Sequence, residues 1–372
     1  MKKSLLAASV AALLLSQLGM AATQLDSEKY PIQIEKVTDG LSHPWGMAVM
    51  PDGGLLVTER SGNLRIISTS GQVSDPIKGL PAVRAYGQGG LLDVQLDPDF
   101  ASNQWVYFSF SEPLNDGKES STAVARAKLN GDSLSELEII FRANPKLDSP
   151  YHFGSRLVFD RQGNLFITLG DRGSRRQDAQ TLDTHHGKVV RISKNGDIPK
   201  DNPYINQDNA LDEIWSLGHR NMQGAALHPQ TGELWTHEHG PQGGDEINIA
   251  RATKNYGWPV ITYGEEYGGG KIGTTSQDGL EQPLYYWVPS IAPSGMMFYS
   301  GKLFDNWQGN LLVGSLKFSQ LVRLELDGDK VIHEERMDIG QRVRDVEQGP
   351  DGTLYLLTDQ PDGQLLKLTP AK

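Results

Sequence analysis

Within the segment YHFGSRLVFDRQGNLFITLGDRG, residues 151 to 173, His152 and Asp171 bracket a hairpin. Its two apolar stretches, Leu157 to Phe159 and Leu165 to Leu169, are joined by Asp160-Arg161-Gln162-Gly163-Asn164, a turn by composition. Two strands joined by a tight turn return their outer ends to one place, so the hairpin would hold an imidazole and a carboxylate at its mouth. A carboxylate fixes the tautomer of a histidine that is to act as a base near neutral pH. A His and an Asp about twenty residues apart are more often a structural pair; the hairpin is what favours chemistry.

Two other stretches carry ligand-binding side chains. GHRNMQG, residues 218 to 224, sets Arg220, Asn221 and Gln223 after the apolar stretch Ile214 to Leu217, and suits a planar ligand rich in oxygens. On sequence alone a polar loop with Arg220 in a surface salt bridge is the favoured reading. HEHGPQGGDEIN, residues 237 to 248, has two histidines at strand spacing followed by Asp245-Glu246. His237 and His239 would share a strand face and could ligate a transition metal. Alternatively, backbone carbonyls of the Gly240-Pro241 turn and the Glu246 carboxylate could take calcium, which prefers oxygen. With no third nitrogen or sulfur ligand nearby, calcium is favoured. His185-His186 reads as a turn with no role. Gln88, Lys317, and Arg342 with Arg344 at strand spacing would converge on one anionic guest if they lie at one end of a channel.

The elements that would bring these residues together are repeated. Six copies of a turn followed by a Leu/Trp-x-Val/Ile/Tyr-x strand begin at Pro51, Asp99, Phe159, His228, Phe304 and Gly349. Their spacing, roughly 43 to 77 residues, brackets propeller blades with loop insertions. This predicts an all-β, six-bladed β-propeller of antiparallel blades around a central channel. The last copy leaves little chain to finish its blade, so Ile32 to Val37 is expected to close the ring as its outer strand. A β-sandwich, or two β-domains, is the alternative. The 41 glycines fall in turns between short strands, and no long amphipathic helix is evident.

The N-terminus reads as a secretory leader over residues 1 to 21: Lys2 and Lys3, an apolar run from Leu5 to Leu18, then Gly19-Met20-Ala21. That run is shorter than the ~20 residues of a spanning helix, so no stable membrane anchor is expected. The expected location is the periplasm, with residues 22 to 372 as one domain. Loss of the leader takes the net charge from -11 to about -13, a surface poorly suited to nucleic acid or anionic lipid. Without cysteine there is no disulfide, no thiol nucleophile and no CxxCH haem attachment.

Seven phrases in order, GQGGLLDVQLDPDF, LFITLGDRG, GHRNMQG, HGPQGGDEIN, NYGWP, APSG and RDVEQGPDG, carry a resemblance. The chain resembles the soluble pyrroloquinoline quinone (PQQ) dependent glucose dehydrogenases, and most closely the periplasmic aldose sugar dehydrogenases among them. The resemblance runs from about Gly40 to the C-terminus and implies the same six-bladed propeller. It implies oxidation of an aldose at the anomeric carbon by hydride transfer to PQQ, with His152 as general base, Asp171 orienting it, and Arg220 and Asn221 against the quinone oxygens. Gln88, Lys317, Arg342 and Arg344 resemble the family's further cofactor contacts, with Asp245 and Tyr267 on the same side. Carbonyls of Gly240 and Pro241 resemble ligands of a calcium that also binds PQQ. Glu246 and the backbone oxygen of Tyr256 resemble ligands of a second, structural calcium. Tyr151, Gln88 and Trp287 fall on the substrate side.

The chain departs from the glucose-oxidising members at Tyr151, at His239 and over Ser174-Arg175-Arg176-Gln177. The implied sugar range is therefore broad. Electrons would leave to a separate acceptor, a quinone, a cytochrome or an artificial dye, and the protein would be a monomer or homodimer. Two competing readings are a metal-dependent propeller lactonase or esterase, with His152 activating water, and a non-catalytic exported binding propeller.

Overall fold

The computed structural model describes residues 23–114 and 116–371; the expected leader, residues 1 to 21, lies outside them. The chain forms six antiparallel sheets and almost no helix. The sheets follow one another along the chain as the blades of a six-bladed β-propeller. Their innermost strands are Pro44–Val49, Leu91–Leu96, Leu157–Phe159, Met222–Leu227, Pro293–Phe298 and Val343–Gln348. The six copies seen in the sequence are the second strands of the six blades. Leu55, Trp105, Leu165, Leu234, Leu311 and Leu354 each begin one or stand within it.

The second strands stand out because both of their faces are buried. Along Leu55–Glu59, Leu55 and Val57 pack toward the last blade while Leu56 packs toward the second. Leu234 and its neighbour Trp235 likewise serve opposite seams. The hydrophobic core is accordingly divided into six main clusters, one between each pair of adjacent blades. At ~25 cal/mol per Å² of apolar surface, these seams hold the ring together.

Ring closure follows the expectation and exceeds it. Pro31–Leu41 pairs antiparallel with Gly363–Pro370, with Ile32 opposite Pro370 and Leu41 opposite Gly363. A further strand, Thr23–Asp26, adds outside it, so the last blade has five strands and the first has three.

One ion-pair hub crosses the channel. Arg156 donates to Asp93 Oδ1 at 2.9 Å, to Asp345 Oδ1 at 2.7 Å and to the Gln223 carbonyl at 2.8 Å. Its guanidinium also lies over Trp45 at 4.5 Å, so a single side chain of the third blade touches four others. The partners are charged and buried, and breaking such a set is costly. Burial nonetheless lifts the Asp93 carboxyl to about 6 against the pull of Arg156.

Candidate active site

The hairpin of the third blade pairs Leu157 with Ile167 and Phe159 with Leu165. Asp160 Oδ1 closes its turn by accepting from the amides of Gln162 and Asn164. At its open end His152 Nδ1 meets Asp171 Oδ1 at 2.5 Å. The approach is tight enough to require glycine at position 170, where an added Cβ would stand 2.2 Å from the His152 carbonyl oxygen. His152 itself is left-handed, with φ 53°, a conformation that neighbours must impose. One of them is Gln88, whose side-chain oxygen accepts from the His152 amide at 2.8 Å while its own amide donates to the Pro150 carbonyl.

Asp171 is held from three sides. Besides His152, it accepts from the Gly173 amide at 2.7 Å and from Trp258 Nε1 at 2.7 Å. Burial works to raise its carboxyl, but the bond and charge of His152 and the charge of Arg220 hold it below the usual carboxylate range. Burial depresses His152, and Arg220 and Arg172 add to this, while Asp171 opposes. Both directions give the same state at neutral pH: an ionised carboxylate and a neutral imidazole. An ionised carboxylate can only accept, so Nδ1 carries the proton and Nε2 keeps its lone pair. Among the described residues, Nε2 has no hydrogen-bond partner, and the side chain is 13% exposed.

Arg220 lies beside this pair. The Asp171 amide donates to the Arg220 carbonyl, and the Arg220 guanidinium sits over Trp258 at 5.3 Å. Nη1 donates to the His239 carbonyl at 2.9 Å, while Nε is buried without a partner. Asn221 is turned to the same hairpin, its Oδ1 accepting from the Gly154 amide at 3.1 Å.

His239 leads into a cleft of about 820 Å³ lined also by Gly240, Pro241, Tyr267, Lys317 and Arg342. Tyr267 is 73% exposed at its rim. Arg344 lies deeper, 6% exposed, bonded to Gln223 Oε1 and to Asp359 Oδ2, with its Nε unpartnered. Arg342 shares Asp359 at 3.0 Å. The charge of Arg344 and the bonds from both arginines keep the Asp359 carboxyl far below the ordinary value despite burial.

Next to the cleft a small void has room of about 10 Å³, roughly one water-sized sphere. Arg220, Glu238, Gly240, Glu246 and Tyr256 line it. Burial, and then the charge of Glu238, pushes the Glu246 carboxyl well above its usual range. Two buried carboxyl groups with a glycine backbone beside them fit a cation that prefers oxygen. Among the described residues no group of three or more His, Asp or Glu side chains converges as a metal site, so such a cation would draw on backbone oxygens.

Three expectations are corrected in detail, for Trp287, Asp245 and the His185-His186 pair, and the transition-metal alternative for His237 and His239 is set aside. Trp287 does not wall the cleft: it is 3% exposed, packed in the seam between the fourth and fifth blades, and its Nε1 donates to Glu334. The next residue, Val288, just past the end of the strand Tyr285–Trp287, lines the cleft instead. Asp245 spends its carboxylate within the protein, accepting from the amides of Gly240, Ile291 and Ala292 and from the Ser290 hydroxyl. It shapes the Gly240 turn and does not reach into the cleft. His237 and His239 do not face a common metal, since their Nε2 atoms donate to the carbonyls of Ser294 and Pro293 in the next blade. His185 and His186, expected to be idle, are buried struts bonded to Glu213 and Asp178.

Sequence reasoning gave no role to Trp258, Arg172, Asp359 or Glu238. Trp258 stood inside the quoted phrase NYGWP, which was the available signal.

The chain matches the family described as Glucose / Sorbosone dehydrogenase over residues 41–367. The aldose sugar dehydrogenase YliI of Escherichia coli (strain K12) is 47% identical over 347 residues, covering 91% of this chain and 93% of that one. Among solved structures, the apo-form of the soluble aldose sugar dehydrogenase of Escherichia coli superposes with a TM-score of 0.88 at 46% identity, covering 91% of this chain and all of the other. The PQQ-bound form of an aldose sugar dehydrogenase from Streptomyces coelicolor gives 0.73 at 26% identity, covering 91% and 98%.

Proposed function

The chain belongs to the Glucose / Sorbosone dehydrogenase family, and from that premise we propose that it oxidises aldose sugars at the anomeric carbon with PQQ as cofactor. The observation that carries this reading is the His152–Asp171 pair beside Arg220. The neutral imidazole offers an unpartnered Nε2 at a cationic mouth, which suits removal of a proton from a sugar hydroxyl.

The residues present fit an anionic planar cofactor. Buried Nε atoms of Arg220 and Arg344 lack partners, and Lys317 and Arg342 line the adjoining cleft. Arg220 and Asn221 would hold the quinone oxygens, and Gln88, Lys317, Arg342 and Arg344 its carboxylates. A calcium would sit against the carbonyls of Gly240 and Pro241, and a second, structural one against Glu246 and the Tyr256 backbone. When bound, PQQ supplies the two-electron acceptor for the hydride leaving the anomeric carbon, and calcium supplies Lewis-acid polarisation.

The chain's own part follows from its geometry. Asp171 and Trp258 fix the imidazole so that Nε2 accepts the proton of the anomeric hydroxyl as the carbon gives up its hydride. Arg220 places positive charge where the oxidant gains negative charge, a role worth most in a site shielded from water. Tyr151, 54% exposed beside the base, and Tyr267 offer flat faces to a pyranose ring without demanding one sugar, consistent with a broad range of aldoses. Electrons then pass to a separate acceptor.

The test is dye reduction by the purified protein with a panel of aldoses, with and without added PQQ and calcium. Activity only with both is expected; no PQQ binding and no activity would turn attention to lactone hydrolysis. His152→Ala should keep PQQ affinity and lose roughly 10² to 10⁴ in turnover. Because His152 is depressed, kcat/KM should fall only as pH drops below the ordinary histidine range, which a pH profile checks. We further propose that residues 1 to 21 are a leader and that the mature protein acts in the periplasm; among the described residues no helix is long and apolar enough to cross a membrane.

A further inference from the structure

Arg172 follows the orienting carboxylate in sequence and is a deeply buried cation near the base, 2% exposed. No carboxylate pairs with it among the described residues. Its Nη1 donates to the Tyr151 carbonyl and its Nη2 to the Ser149 carbonyl at 2.8 Å. The bond is returned: the Ser149 hydroxyl donates to the Arg172 carbonyl at 2.7 Å. The guanidinium plane is set 3.5 Å from the centroid of the Phe153 ring. These contacts bind both sides of His152 in sequence, Tyr151 before it and Phe153 after it, to the strand end that carries Asp171. Both His152 and Arg172 are left-handed, at φ 53° and φ 59°, so neither conformation is one the segment would take alone.

We propose that Arg172 is a positioning residue that clamps the 149–153 segment so that His152 meets Asp171. This rests on the reading of His152 as the base. The groups facing His152 are Asp171, which favours the imidazolium, and Arg220 and Arg172, which oppose it. Burial brings Arg172 itself down to about 9, with Asp171 opposing and Arg84 assisting, so it remains charged at neutral pH. A lysine there keeps the charge but cannot span two carbonyls and cover a ring at once.

Three substitutions separate geometry from charge. Arg172→Lys should lower kcat of the PQQ- and calcium-loaded protein by roughly one to two orders of magnitude, the scale of a small misplacement, and leave the acid limb of kcat/KM near its wild-type position. Arg172→Gln should lower kcat and also move that limb to higher pH, since loss of a cation lets His152 protonate more readily. Ser149→Ala removes only the returned bond and should lower kcat modestly with no movement of the limb. If Arg172→Gln does not fold, the lysine and alanine variants still decide. The His152 ring titration, followed by NMR in the full protein without PQQ, reads the same shift independently of turnover. A dead enzyme with a normal Arg172 effect on His152 would overturn the dehydrogenase reading alone. Unchanged kcat in the folded lysine variant would overturn the clamp, whatever the glutamine variant shows.

Discussion

Arg156 and Arg220 are nearly equally buried, 5% and 6% exposed, yet their charges are answered in opposite ways. Arg156 has two carboxylates and a carbonyl, all supplied by other blades. Arg220 has one carbonyl and the face of Trp258, and keeps an unpartnered buried nitrogen. A buried cation satisfied from within fastens the ring. One left short of partners beside a cleft is free to answer a guest, the role proposed above for Arg220, and its desolvation is not repaid within the chain. The same contrast separates Asp359, shared by two arginines, from Glu246, pressed against another acid beside an oxygen-lined void.

Substitutions can break this comparison. Arg156→Met strands Asp93 and Asp345 as buried carboxylates and should cost about 3–5 kcal/mol in denaturant unfolding. A loss of turnover without that destabilisation would mean the hub belongs to the site. Arg220→Gln should do the reverse, lowering kcat by about 10²- to 10³-fold, with unfolding changed by less than about 1 kcal/mol. For Glu246, calcium at a hundred times its Kd should stabilise the protein by about 2.7 kcal/mol. Glu246→Gln should abolish that gain while leaving the calcium-free protein no less stable, because it relieves repulsion from Glu238. The smallest effect is expected at Arg176–Glu266, a 2.6 Å pair, both partly exposed, tying the loop after Asp171 to the loop of Tyr267. Breaking it should change KM for bulky aldoses by at most about fivefold, and less at high salt. Equal change in KM for all sugars would show that the pair does not shape the cleft.

What the sequence made legible was local or repeated. Six second strands announced themselves because each repeats a turn followed by the same Leu/Trp-x-Val/Ile/Tyr-x pattern, and His152 and Asp171 were linked by a hairpin with a turn of five residues. The N-terminal strand was deduced from a blade left short of chain. What stayed hidden joins distant segments without any shared period: Trp258 reaches Asp171 across 87 positions, and Arg344 meets Gln223 across 121. Trp287 was misplaced by a single residue, since it ends its strand inside a seam and only the next residue, Val288, reaches the cleft. Asp245 shows a related limit, since an acid beside a cofactor-type motif looks the same in sequence whether it faces the guest or braces the turn.

The pairing of Pro31–Leu41 with Gly363–Pro370 also sets an order of events. Contacts between segments more than three hundred residues apart are the slowest kind to form, because the intervening chain must first be gathered. The cleft instead draws its lining from three consecutive blades, the fourth, fifth and last, and that lining ends at Arg342, ahead of the strand the clasp holds. The cleft would therefore gather among neighbours in the chain, and the clasp would come last, as the step that locks the finished ring around it.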